Sequence, residues 1–235
     1  TPVISSAASD VYKRQGYYPR VADNKMNGRV ARLLVFPLLN DLEKTIGKSE
    51  YLDFMKSFKY PLAGEFSFRR NILPELRISS DWGIEIGILS EMQRNFSPQN
   101  ICQVDLADTY DHKHQDLSTE DENKGLSRMS IDIIKTFIKK LATQGHSFSR
   151  EQLRSLKATY YRSALDLIDA YRGDAEMNGL KFDSHSEEKA VELFSKNIIK
   201  AGEDFYLNPM DAPFIPTWSR VCLLYTSPSP RDVCS

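Results

Sequence analysis

The sequence predicts an α/β chain: a mixed α/β region followed by a helical one. Three observations carry this. A β-branched, alternating run at Ile101–Leu106 follows an amphipathic helical pattern. Three long patterns of helical period fill the second half, at 126–144, 150–177 and 187–205. A charged, glycine-terminated linker from Asp116 to Lys124 separates the two textures.

In chain order, Val30, Leu33, Leu34, Leu38, Leu39 and Leu42 recur at helical spacing between Asn27 and Ile46. Pro37 interrupts or kinks that helix, because it lacks an N–H and its ring collides with the preceding turn. Gly47 is its expected stop. Tyr51 to Phe58 is a short amphipathic stretch, and 60–66 reads as a loop or strand end. A helical turn through Arg69, Arg70 and Ile72 follows. Ser79-Ser80-Asp81 is placed to cap a helix from about Trp82 to Asn95. Beyond the linker, Ser149 with Gln152 is a capping-box pattern, and Ser184 or Ser186 is the expected cap of the last helix.

The chain has 31 Lys+Arg against 32 Asp+Glu, and 41% of its residues are hydrophobic. That balance argues against an electrostatic nucleic-acid binder or a polybasic membrane anchor. No apolar run approaches the roughly 20 residues of a membrane span. Neither nucleic acid nor membrane is an expected partner.

The two ends carry an unexpected relation. Asp10 to Gln15 can be encoded as GAT GTG TAT AAG AGA CAG. The reverse complement of that DNA, read one base in, encodes Cys-Leu-Leu-Tyr-Thr-Ser, which is Cys222 to Ser227. The DNA resembles a sequencing-library transposon end, so 1–15 and 222–235 are expected to be adapter-derived, non-native and packed against nothing. The natural stretch then runs from about Gly16 to Val221 and is cut at both ends. It holds 28 basic and 30 acidic residues, with Cys102 its single cysteine. A lone thiol fits a reducing, cytoplasmic location. Its expected divisions are a mixed α/β part at 16–117, a helical part at 118–206 and a tail at 207–221.

Four islands could carry chemistry. Asn27-Gly28-Arg29-Val30 opens a helix, where backbone N–H groups and a guanidinium suit a phosphate or carboxylate; an ordinary capping turn is the alternative. Pro61-Leu62-Ala63-Gly64-Glu65 either admits a ligand close to its backbone or is a tight turn. Glu85, between Gly83 and Gly87, is either a dipole-stabilised surface carboxylate or a buried group facing a site. Asp111-His112-Lys113-His114 follows a strand, where α/β sheets bind ligands, although a surface histidine pair fits as well. His146 and His185 are assigned no role.

Taken in order, Gly28-Arg29-Val30, Phe36-Pro37-Leu38-Leu39, Pro61-Leu62-Ala63-Gly64-Glu65, 82–87 (WGIEIG), Gln103-Val104-Asp105-Leu106 and His112 resemble the glucosyl-3-phosphoglycerate synthases, retaining GT-A glycosyltransferases. The resemblance implies the acceptor-side half of a GT-A, Rossmann-like domain followed by a helical region. It implies that Gly28 and Arg29 hold the acceptor phosphate, and that Leu62 and Gly64 line the donor sugar. Glu85 matches the acidic residue beside the transferred sugar. His112 matches a ligand of a divalent metal, Mg or Mn, whose Asp-x-Asp partners are missing from this chain. Ala31 stands where family members place Thr, and His114 at a polar position near the acceptor carboxylate. Both departures bear on acceptor identity.

The implied substrates are nucleotide-diphosphate glucose and 3-phosphoglycerate. The expected activity of the parent is hexosyl transfer, with the fragment itself inactive. Two alternatives remain: a related mannosyl- or glucosyltransferase acting on another hydroxy acid, or an inactive helical fragment whose surface serves interaction or homodimer formation.

Overall fold

The computed structural model describes residues 11–106 and 125–209, and the backbone of 214–215. The fold is mixed α/β. A three-stranded sheet has the order β4-β1-β6, built from β1 (Lys13–Tyr17), β4 (Phe66–Phe68) and β6 (Ile101–Asp105). β1 runs antiparallel to β4 and parallel to β6, with Lys13 opposite Phe68 on one side and Ile101 on the other. A two-residue hairpin joins β2 (Val21–Ala22) to β3 (Lys25–Met26). Its turn residues, Asp23 and Asn24, take φ of 52° and 59°. Such side chains tolerate the left-handed region that a tight hairpin demands.

The predicted first helix is divided. Residues 31–35 form a π-helical turn, which passes into α1 (Phe36–Ile46) and ends at Gly47 with φ 85°. Pro37 explains the division, because a proline cannot supply the N–H that a regular α-turn needs at that point. The Leu33 carbonyl, four residues before it, accepts a hydrogen bond from the buried Tyr160 hydroxyl at 2.6 Å. The short amphipathic stretch at Tyr51–Phe58 is largely helical, as α2 (Glu50–Lys56), and the expected helical turn is the 3₁₀ turn Arg70–Glu75. α3 spans Ile84–Asn95, with the Asp81 carboxylate accepting from the Gly83 N–H at 2.9 Å. β5 (Ile78–Ser79) pairs with β7 (Phe214–Ile215).

The three long helices are α4 (Gly125–Thr143), α5 (Arg150–Met177) and α6 (Ser184–Leu207). The Ser149–Gln152 capping box closes reciprocally, at 3.2 and 2.7 Å. At α6 the cap is Asp183, which accepts from the Ser186 N–H at 3.1 Å, instead of either serine. A carboxylate at that point meets the positive end of the helix dipole as well as an orphan donor, which a serine hydroxyl does not match.

The α/β part and the helical part share one hydrophobic core. Leu33, Leu38 and Leu42 lie in the same buried cluster as Phe137 of α4, Leu156 of α5 and Phe194 of α6. Between α4 and α6, Asn197 donates to the Ser130 hydroxyl at 2.7 Å and to the Ser127 hydroxyl at 3.2 Å. Among the described residues, no helix is long and apolar enough to cross a membrane.

The expectation that 1–15 packs against nothing is overturned for its last residues. Lys13 and Gln15 are buried in the central strand, where Lys13 bonds the Gln15 side chain and lies 4.9 Å from the centre of the Phe66 ring. The physical reason is that a strand slot is filled by backbone hydrogen bonds, which any non-proline residue supplies. Gln15 answers its burial by donating to the Ala63 carbonyl at 3.0 Å, whereas the Lys13 ammonium is poorly suited to the slot. Burial pushes the Lys13 ammonium down to about 7 against a weaker opposing pull from Cys102. The unfolded chain keeps that proton up to 10.5, so stability rises with pH between about 7 and 10.5, and the full deficit is present below 7. Replacing Lys13 by Met is expected to stabilise the chain at pH 7 by about 2–4 kcal/mol, out of at most ~5 set by the displaced titration. Denaturant midpoints should show that advantage shrinking toward pH 10.5.

Candidate functional site

Three of the four islands converge on a cavity of about 900 Å³. Gly28 and Arg29 contribute from the start of the first helix, Leu62, Gly64 and Glu65 from the loop before β4, and Trp82 and Glu85 from the start of α3. Ser186 and Glu187 close it from the first turn of α6. Ala31 is fully buried in the π-turn and does not line the cavity. His112 and His114 lie outside the described residues.

Local geometry explains the convergence. Gly28 takes φ 73°, the left-handed region that favours glycine, and a Cβ there would lie 3.2 Å from the Arg20 side chain. The turn therefore brings the backbone against Arg20, whose guanidinium lies between the Tyr18 and Tyr60 rings, 4.2 Å from each centre. Tyr18 donates to Glu65 Oε1 at 3.0 Å, and the Arg20–Glu65 ion pair is long, at 3.9 Å. Among the described residues, Arg20 Nε and Glu65 Oε2 are buried with no hydrogen-bond partner. Both belong to residues lining the cavity, and both retain capacity for a polar ligand.

At the other end, one carboxylate serves two guanidiniums. Glu187 accepts from Arg29 Nε through Oε1 and from Arg32 Nη2 through Oε2, each at 3.0 Å. Arg29 Nη2 also donates to the Ser186 hydroxyl at 3.1 Å. Arg32 donates from Nε to the Asn27 carbonyl at 2.9 Å and faces the Tyr171 ring. Two cations against one anion leave positive charge to spare, and Arg29 remains a quarter exposed.

Neither Arg20 nor Glu187 was singled out by sequence reading. Arg20 sits in no recognisable motif, and Glu187 looked like an ordinary acidic residue in a first helical turn. Among the described residues, no group of three or more His, Cys, Asp or Glu side chains could hold a metal. Those residues therefore do not make the divalent-metal site that the resemblance implies.

The glucosyl-3-phosphoglycerate synthase of Persephonella marina is 39% identical to this chain over 220 residues, covering 94% of the chain and 54% of the relative. The chain is a homologue of the glucosyl-3-phosphoglycerate synthases. The synthase of Methanococcoides burtonii is 37% identical over 222 residues, again 54% of its length, and that of Petrotoga mobilis 30% over 118. The chain thus spans about half the length of the first two synthases. No family model matches the chain, and no solved structure matches it.

Within this cavity, Glu85 has a displaced titration. Burial raises its pKa, the nearby Glu65 charge raises it further, and a backbone N–H opposes both. A carboxyl whose folded pKa is raised costs stability as pH climbs from its unfolded value, 4.5, toward the folded one, and the full cost is present above that. Glu85→Gln, which cannot ionise, is expected to be more stable than the unmutated chain at pH 7. Thermal melts at pH 4 and pH 7 should show the advantage only at the higher pH.

Proposed function

We propose that the cavity is the acceptor and sugar end of a glycosyltransferase site of GT-A type. The parent protein transfers glucose, with retention, from a nucleotide-diphosphate sugar to 3-phosphoglycerate. The observation that carries this reading is the meeting of Arg29, the Leu62–Glu65 loop and Glu85 around one cavity, from segments 20 or more residues apart in sequence. The names of the relatives supply the reaction; the cavity supplies groups suited to it.

Arg29 holds the acceptor phosphate by charge-assisted hydrogen bonds, with the Gly28 turn giving the anion access to backbone. Glu85 faces the transferred sugar. A carboxylate with a raised pKa is the better proton acceptor for the hydroxyl that attacks, and a donor-phosphate oxygen is the other candidate. The Leu62–Gly64 backbone lines the sugar. We further propose that 1–15 and 222–235 are adapter-derived. The poor fit of the buried Lys13 ammonium to a central strand supports this for the first segment.

Titration calorimetry with 3-phosphoglycerate tests the acceptor assignment. Arg29→Ala should weaken binding about tenfold to hundredfold, since a charge-assisted contact is worth about 1.5–3 kcal/mol. Glycerate, which lacks the phosphate, should bind weakly and be indifferent to the change. If Arg29→Ala leaves 3-phosphoglycerate affinity untouched, the phosphate site lies elsewhere. The purified chain is expected to bind this acceptor while transferring no glucose from a nucleotide sugar; robust transfer would overturn the reading of it as the acceptor half.

A further inference from the structure

The guanidinium assigned to the acceptor anion is not held by its own segment. Arg29 Nε bonds Glu187 and Nη2 bonds Ser186, both in the first turn of α6 and more than 150 residues away in sequence. Those contacts occupy one edge of the guanidinium fork; among the described residues Nη1 has no hydrogen-bond partner, on a side chain that borders the cavity. Arg32 secures the other oxygen of Glu187 at 3.0 Å, and the carboxylate is almost fully buried. A buried carboxylate gripped from both sides has little freedom to swing away. It is an anchor for Arg29 and a poor competitor for the anion Arg29 would bind.

We propose that Glu187 is a positioning residue of the anion site, fixing Arg29 so that its free edge faces the ligand. This rests on the reading of Arg29 as the anion-binding residue. The consequence runs against simple electrostatics. Removing a negative charge beside an anion site should strengthen anion binding; here, removing it weakens binding, because an unanchored arginine must be ordered by the ligand itself. Ser186, the second anchor, should act in the same direction with smaller effect.

The experiment is calorimetric titration of the 235-residue chain with 3-phosphoglycerate, and separately with inorganic phosphate. Glu187→Gln should bind 3-phosphoglycerate about tenfold more weakly, and Ser186→Ala about threefold, as expected for a lost preorganising contact. In an Arg29→Ala background, Glu187→Gln should change affinity by less than about twofold, because a residue acting only through Arg29 has nothing left to act on. A merely structural role would not produce that loss of effect. Glu187→Gln also unpairs buried Arg32, so circular dichroism checks its fold; if it does not fold, Ser186→Ala with its Arg29→Ala double carries the test alone. Tighter or unchanged binding in the folded single variants overturns the proposal while leaving the Arg29 assignment intact. An Arg29→Ala variant that binds as well as the unmutated chain, or an unmutated chain that binds neither probe, overturns both.

Discussion

The Glu187 carboxylate, shared by Arg29 and Arg32, is the interaction on which the cavity depends. An ion taken out of water must be compensated at close range, and removing one partner of such a group is far costlier than never having buried it. That asymmetry fixes the geometry. Once Glu187 and Arg32 are buried, the first turn of α6 must sit against the start of the first helix. The cavity wall is therefore made from two parts of the chain that the linker at 116–124 divides in sequence. The helical part completes the site; it is more than a support.

The same ties recur along α1 and α5. Asp41, fully buried in α1, accepts from Lys44 at 2.7 Å and from Ser163 of α5 at 3.1 Å. Tyr160, one turn earlier on α5, donates to the Leu33 carbonyl at the place where Pro37 interrupts regular helical bonding. Each is a polar group that packing alone would leave costly, and each is met from α5, fully for the Leu33 carbonyl and through Oδ1 alone for Asp41. Apolar burial joins the two parts non-directionally, while these few directed bonds set which faces meet. The π-turn is the local cost of Pro37, and it is tolerated because the surrounding Leu side chains remain fully buried.

β1 shows how far backbone hydrogen bonding can override side-chain suitability. All five of its residues pair with β6 and three of them with β4, although two of its buried side chains are Lys13 and Gln15. The ammonium lies against Phe66 and Phe68, whose rings offer some compensation for lost hydration. The slot between β4 and β6 is thus defined by its neighbours. Whatever strand fills it inherits the register they impose.

Much of the helical structure was legible in the sequence because its signals are local. α5 has the predicted bounds, its capping box involves residues three apart, and Gly47 ends α1 through its own φ. The islands at Gly28–Arg29, Leu62–Glu65 and Glu85 were legible as residue types in a pattern. Their meeting was not, since each alone could also be read as a turn or surface group. The sheet was only partly legible: β6 has an alternating pattern, whereas β1 and β4 exist through pairing between residues some 50 and 90 positions apart. Arg20 and Glu187 had no local mark at all. Composition, periodicity and caps determined which segments are helices and which residues could carry charge chemistry. Only tertiary packing decided which charges share a cavity, because the free energy of a buried ion depends on partners that sequence spacing does not bring together.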